Sequence, residues 1–302
     1  MEPGTSVTFH PILFPPIPED TAEYAAALFS EEYVYVRLGR KINSILFDLS
    51  QSGGEFLRDR SAITYYMYAL LTVFQYVEGL TNRQLVEATH TRVDFKYALR
   101  LPLNYPNFDP GRLCEFRQQL YRDPIRQQVF QELLYRLAGI GLLEEKRGQS
   151  LCALEVLQAV CTNTRLETVL EAVFQVLETL AVTNSEWLRQ ITLPHWYERY
   201  SGKARLKSHL TSNKDWNWSL PRIGQDIQYL LAEIDRAEFT SISSLQEVQD
   251  LRRVAQDQFE GFKEADSSGN SIQFRTISCA SCDRRIGSPS HMGDSNFVLQ
   301  DG

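Results

Sequence analysis

Two stretches of this chain carry cations at spacings suited to a phosphate backbone. Between positions 83 and 100, Arg83, Arg92, Lys96 and Arg100 face two acids, Glu87 and Asp94. Between 112 and 136, Arg112, Arg117, Arg122, Arg126 and Arg136 face three, Glu115, Asp123 and Glu132. Each window therefore holds a local excess of two positive charges, although the whole chain carries −7. Phosphate neutralisation depends on local cationic density, so the overall charge does not exclude nucleic acid. Arg83, Arg92 and Lys96 are placed to neutralise phosphates, and Gln84, His90 or Thr91 to reach base edges in a major groove. Arg117 and Arg122 offer a second clamp. On charge alone a solvated charged face explains the first set better, and an ion pair of Arg117 with Glu115 or a neighbouring carboxylate explains the second equally well.

Other chemistry is poorly represented. The five histidines form no cluster in sequence, and neither a phosphate-cradling glycine loop nor a nucleophile elbow is present. Cys279 and Cys282, with His291 beyond them, give three zinc donors where a structural site wants four. Trp216 and Trp218 beside Lys214 are the more open candidates for base stacking, whereas Trp187 and Trp196 read as core.

The elements that must position these residues are helical. A chain of 302 residues with 43% hydrophobic and 11% aromatic content can pack a sizeable core. The prolines at 11, 15, 16 and 18 break any apolar leader. Five cysteines fit a reducing compartment. Apolar positions 63, 66, 67, 70, 71, 74 and 77 predict a helix over 61–78, uncharged up to Val77 yet slightly short for a membrane span. Gly79 then suits a left-handed stop, and Thr81 with Gln84 forms a capping box that starts a helix near 82. A short third helix over about 92–99 completes a helix-turn-helix-like element. Asp109-Pro110 and Asp123-Pro124 each open a further helix. Residues 151–160 suit either a strand or a helix start. Helices follow over 166–180, 221–234 and 245–262. The composition assigns 1–55 to an extended N-terminal arm, with 31–49 packing loosely, and 264–302 to a disordered tail.

The wording QYVEGLTNRQLVEATHTRVDFKYALRLPL, followed by LCEFRQQL, closely resembles the InsH-type N-terminal domain of bacterial insertion-sequence transposases. The resemblance is strongest over 63–143, and it shifts preference toward DNA contact by Arg83, Gln84, Arg92, Lys96, Arg117 and Arg122. It implies an N-terminal helical domain over 56–143. A partial, degenerate catalytic-domain segment with a helical insertion follows over 144–263. The fold class expected is mainly α: a helical bundle followed by a mostly helical remnant of an RNase H-like α/β domain. Such transposases cut and rejoin DNA with Mg²⁺ held by Asp, Asp and Glu. Aligning VLQAV on 156–160 puts Cys152 where their first aspartate stands. A thiol does not replace a hard oxygen ligand, and Glu155 three residues on would point to the other face of a strand. The expectation is therefore a truncated relative that binds insertion-sequence ends without completing a catalytic site and needs no cofactor of its own. Its partner would be double-stranded DNA, with room for a homo-oligomer and no membrane, in a bacterial cytoplasm. The alternative is a helical interaction or dimerisation module that inhibits an intact transposase.

Overall fold

The fold is mainly α. The computed structural model describes residues 14–52, 61–106, 108–143, 151–200, 220–237, 240–260 and 273–274. The helices are α1 (Glu19–Leu28), α2 (Val34–Ser52), α3 (Ser61–Glu78), α4 (Asn82–Thr91), α5 (Val93–Leu99), α6 (Pro110–Arg122), α7 (Pro124–Gly139), α8 (Ala153–Thr183), α9 (Ser185–Ile191), α10 (Pro194–Tyr200), α11 (Leu220–Arg236), α12 (Thr240–Ser243) and α13 (Gln246–Gln258). Two strands, β1 (Phe259–Glu260) and β2 (Gln273–Phe274), pair antiparallel. Among the described residues no helix is long and apolar enough to cross a membrane.

Two cores share one helix. The first is built by α2, α3, α6, α7 and the start of α8, with Leu38, Ile42, Leu70, Phe74, Leu113, Phe130 and Val156 among its buried side chains. The second joins the later turns of α8 to α11 and α13 through Val169, Val173, Ile227, Leu230, Val248 and Leu251. The 31 residues of α8 span roughly 45 Å, long enough to serve both. Arg165, buried on α8, fastens α13 by donating to the Gln258 side chain at 2.6 Å and to its carbonyl at 3.2 Å.

The predicted stops and starts are built as the residues dictate. Gly79 adopts φ 66°, and the Leu80 amide returns to the Gln75 carbonyl at 2.9 Å, closing α3. Asp109 accepts from the Gly111 amide, and Asp123 from the amides of Ile125 and Arg126, so the Asp-Pro pairs cap α6 and α7. Gly141, at φ 79°, ends α7, where the Leu142 amide reaches the Leu137 carbonyl.

The extended arm expected over 1–55 is corrected over its described part. Residues 19–28 and 34–52 are helical, because Glu19 and Asp20 favour a helix N-terminus and an alanine-rich run follows. Within α2, Tyr35, Leu38, Ile42, Ile45, Leu46 and Leu49 recur at helical spacing and are buried, so 31–49 does not pack loosely. Thr21 anchors α1 by donating its hydroxyl to the Leu101 carbonyl at 2.8 Å. Gly39 lets α2 meet α5 closely: a Cβ there would sit 2.6 Å from the Tyr97 ring and 2.8 Å from its carbonyl oxygen. Arg100 holds the left-handed conformation at φ 56°, and its guanidinium ties α5 back to the chain start through the carbonyls of Gly39 and Pro15. Of the tail expected to be disordered over 264–302, residues 273–274 instead form β2, because they pair with Phe259 and Glu260, and the rest, with the Cys279, Cys282 and His291 group, lies outside the described residues, as does the region over 201–219 with its basic loop and Trp216 and Trp218.

Gly39→Ala is expected to destabilise the fold by about 1–3 kcal/mol, since the clash involves backbone as well as ring. Urea unfolding of the variant should show a lower midpoint at an unchanged slope.

Candidate nucleic-acid interface

The α3–α4 junction is fixed by a capping box. The Thr81 hydroxyl accepts from the Gln84 amide at 3.2 Å, and the Gln84 side chain accepts from the Thr81 amide at 2.9 Å. The same hydroxyl donates to Glu167 of α8 at 2.9 Å. Burial raises the Glu167 carboxyl above its ordinary pKa, against the lowering influence of Thr81 and Arg83. Gln84 is therefore half-buried and occupied in the cap, while Arg83 beside it is exposed.

Arg92 occupies the single residue between α4 and α5. Its guanidinium pairs with Glu78 at 3.3 Å and Asp94 at 2.7 Å, and it lies 4.0 Å from the centre of the Phe95 ring. Tyr33 donates to Asp94 at 2.9 Å and Tyr35 to Glu78 at 2.7 Å, which joins this cluster to α2. Burial opposes the Arg92 charge, but the two carboxylates outweigh it and raise its pKa. Burial, together with Asp94, pushes the Tyr33 phenol up to about 12.

Two further arginine and lysine placements differ from the outward faces expected. Lys96 is 4% exposed, its ammonium bonded to the Leu103 carbonyl, and burial lowers its pKa. Every side chain of α5 from Asp94 to Leu99 is buried, so α5 is a core helix and presents no cation. Arg117 is 1% exposed. It donates to Asn82 at 2.9 Å, to Gln75, and at 3.4 Å to the Thr72 hydroxyl, partners that neither the phosphate clamp nor a pairing with Glu115 or a neighbouring carboxylate anticipated. The reason is geometric: its position on α6 faces α3 and α4, which cover it. Arg122, at the end of α6, is exposed.

What reaches solvent is a pair of polar stripes on neighbouring helices. On α4 the exposed set is Arg83, Glu87, His90 and Thr91; on α6 it is Arg112, Glu115, Gln119 and Arg122. Both follow three- and four-residue steps, and α4 packs against α6. Such stripes offer guanidinium groups for phosphates and imidazole, hydroxyl and amide groups for base edges. Arg112 was legible as an outward residue of its helix, but only the packing of α6 beside α4 joins it to Arg83.

The stretch over 151–160 is a helix start. Glu155 accepts from the Cys152 amide at 3.4 Å and so acts in the cap of α8. The strand geometry that would send positions 152 and 155 to opposite faces does not apply, because three residues apart on a helix share a face. Among the described residues no three His, Cys, Asp or Glu side chains gather as metal ligands. A separate polar cluster holds α10 to α11: Asp226, 7% exposed, accepts from Tyr200 at 2.6 Å and from Arg199, with His195 Nε2 at 3.2 Å. Trp196 is buried against Tyr200 and Tyr229, as core.

Arg92→Ala should lower stability by about 2–3 kcal/mol, because it leaves Asp94 buried without its cation. Thermal unfolding checks this before any loss of binding is attributed to a missing phosphate contact. Glu167 has a folded-state pKa above its unfolded one, so its contribution is most favourable below the unfolded value and is lost as pH rises through the folded one. Glu167→Gln keeps an acceptor for Thr81 and should be more stable than wild type at neutral pH, with the gap closing at pH below the ordinary glutamate range. A gap that widens on acidification would refute this assignment.

Searches among curated proteins and among solved structures return no match. A family model does match, described as Transposase domain (DUF772), over residues 26–119. The matched span takes in α2 to α5 and most of α6, with both polar stripes nearly complete. Residues 26–119 are thus similar to that transposase domain, which is consistent with the N-terminal domain of an insertion-sequence transposase.

Proposed function

We propose that this chain binds double-stranded DNA in the course of transposition, recognising the ends of an insertion sequence through the exposed stripes of α4 and α6. The observation that carries the reading is the transposase-domain match over residues 26–119, a span that includes Arg83 and Arg112, with Arg122 three residues beyond it. The helix-turn-helix-like role falls to α4, since α5 is buried. Gln84 supports this surface as part of the cap, and Arg92, Lys96 and Arg117 support it from within.

Gel-shift titration against short duplexes taken from the ends of the element tests the reading. Binding should weaken steeply with salt, and Arg83→Ala or Arg122→Ala should each lower the salt slope by about 1 while leaving the fold intact. Absence of any shift at low salt would remove the DNA reading. The same reading has the chain bind without cutting, on the ground that Cys152 stands where related enzymes align an aspartate and Glu155 is engaged in a helix cap. Supercoiled plasmid carrying the element ends should stay intact with Mg²⁺ or Mn²⁺, and nicking would count against it.

A second reading, a dimerisation or interaction module able to inhibit an intact transposase, draws on exposed apolar side chains along α6 and α7. Tyr121, Ile125 and Tyr135 lie open to solvent, the last two at 57% and 60%. Sedimentation of the chain with and without Ile125→Ser and Tyr135→Ser separates the two: self-association lost in the double variant favours the module.

A further inference from the structure

We infer that Arg117 is a positioning residue, which sets the direction in which α4 presents Arg83, His90 and Thr91 to DNA through a buried polar lock. This rests on the DNA-binding reading above and gives that surface its internal support.

The lock joins three helices at one point. Arg117 of α6 donates to Gln75 of α3 and to the Oδ1 of Asn82, the first residue of α4. Gln75 donates to the same Asn82 oxygen at 3.2 Å, and the Asn82 amide group approaches the Cys114 sulfur of α6 at 3.5 Å. Asn82 is thus held by its side chain on the inner side of α4. On an α-helix the next residue lies about 100° further round. Fixing Asn82 inward therefore fixes Arg83 outward, and with it the line of Glu87, His90 and Thr91. Thr81, one residue earlier, is bonded to Glu167 of α8 at 2.9 Å, which holds the start of α4 at a second point.

Apolar packing would hold these helices together at least as well. A buried charged group costs desolvation, and aliphatic replacements of buried ionic groups are often neutral or stabilising. Hydrogen bonds to one amide oxygen add direction, which aliphatic contact lacks. The interior of α4 shows why direction matters here: only Leu85, Ala88 and Thr89 of its ten residues are buried, a narrow apolar seam that would tolerate rotation. The links at either end, residues 79–81 and 92, restrict α4 to small turns about its axis, and a turn of that size would move the exposed stripe without unfolding the chain.

The test compares wild type, Asn82→Ala, Arg117→Lys, Arg117→Met and Arg83→Ala in the full chain, using one fixed mixed-sequence duplex at low salt. Circular dichroism and thermal melting establish which variants fold, and hydrogen exchange follows the amides of α4. Asn82→Ala removes one arm of the lock and leaves the buried cation its other acceptors, so it decides the matter where Arg117→Met does not fold. Folded Asn82→Ala and Arg117→Lys should bind about tenfold more weakly, a size expected of non-contacting residues that tune a site. Their salt slope should equal that of wild type, because no phosphate contact is lost, whereas Arg83→Ala should lower it by about 1. Exchange should quicken in α4 and not in α8. Wild-type affinity in folded Asn82→Ala and Arg117→Lys would overturn the inference alone. A reduced salt slope in either would also overturn it, by making Arg117 or its neighbour a contact. A wild-type chain that fails to shift the duplex would remove the DNA reading, and this inference with it.

Discussion

A buried polar group is costly to leave unpaired, and α3, buried on nearly all sides, partners Thr72 and Gln75 although its Tyr66 hydroxyl has no hydrogen-bond partner. Its apolar side chains Tyr66, Leu70, Leu71, Val73 and Phe74 lie in the first core, but Thr72 and Gln75 are equally inaccessible. Thr72 satisfies its own hydroxyl by donating to the Tyr68 carbonyl, one turn back. Gln75 cannot do so with its longer side chain and meets Arg117 and Asn82 instead. An unpaired buried amide would cost about 1–3 kcal/mol, so this single demand brings α6 and α4 to defined places against α3.

The same logic explains why cations predicted to face outward are half-buried, as Arg92 is, or buried, as Lys96 is. Arg92 has two carboxylates and two tyrosine hydroxyls ranged around it, and Lys96 has a backbone carbonyl at the start of the α5–α6 loop. These groups organise the domain, and the exposed stripes of α4 and α6 carry fewer cations, Arg83, Arg112 and Arg122, with Glu87 and Glu115 among them. In the proposed DNA complex a surface of such modest charge would rely on shape and direction more than on bulk attraction.

Beyond the matched domain, α8 is the structural bridge. Its first turns close the α3–α7 core and its later turns open the second core with α11 and α13. Glu167 and Arg165 lie on this helix two residues apart, one bonded to the N-cap of α4 and the other to the end of α13. Through these two bonds α8 touches both the start of α4 and the end of α13.

Local signals by themselves determined much of this architecture. The uncharged apolar stripe and Gly79 set α3, the Thr-x-x-Gln box set α4, and two Asp-Pro pairs set α6 and α7, because caps and stops act within a few residues of chain. The periodicity of α2 was equally present at Tyr35, Leu38, Ile42 and Leu46, though the interspersed charges Arg37, Arg40 and Lys41 obscured it. Which side chains of those helices meet solvent was decided by tertiary packing alone. A helical pattern shows that Arg117 and Lys96 share a face with certain neighbours, but not that α3, α4 and the loop after α5 will close over that face. Burial is a property of what lies opposite, and residues more than thirty positions away supply it: Gln75 and Asn82 for Arg117, Glu167 for Thr81.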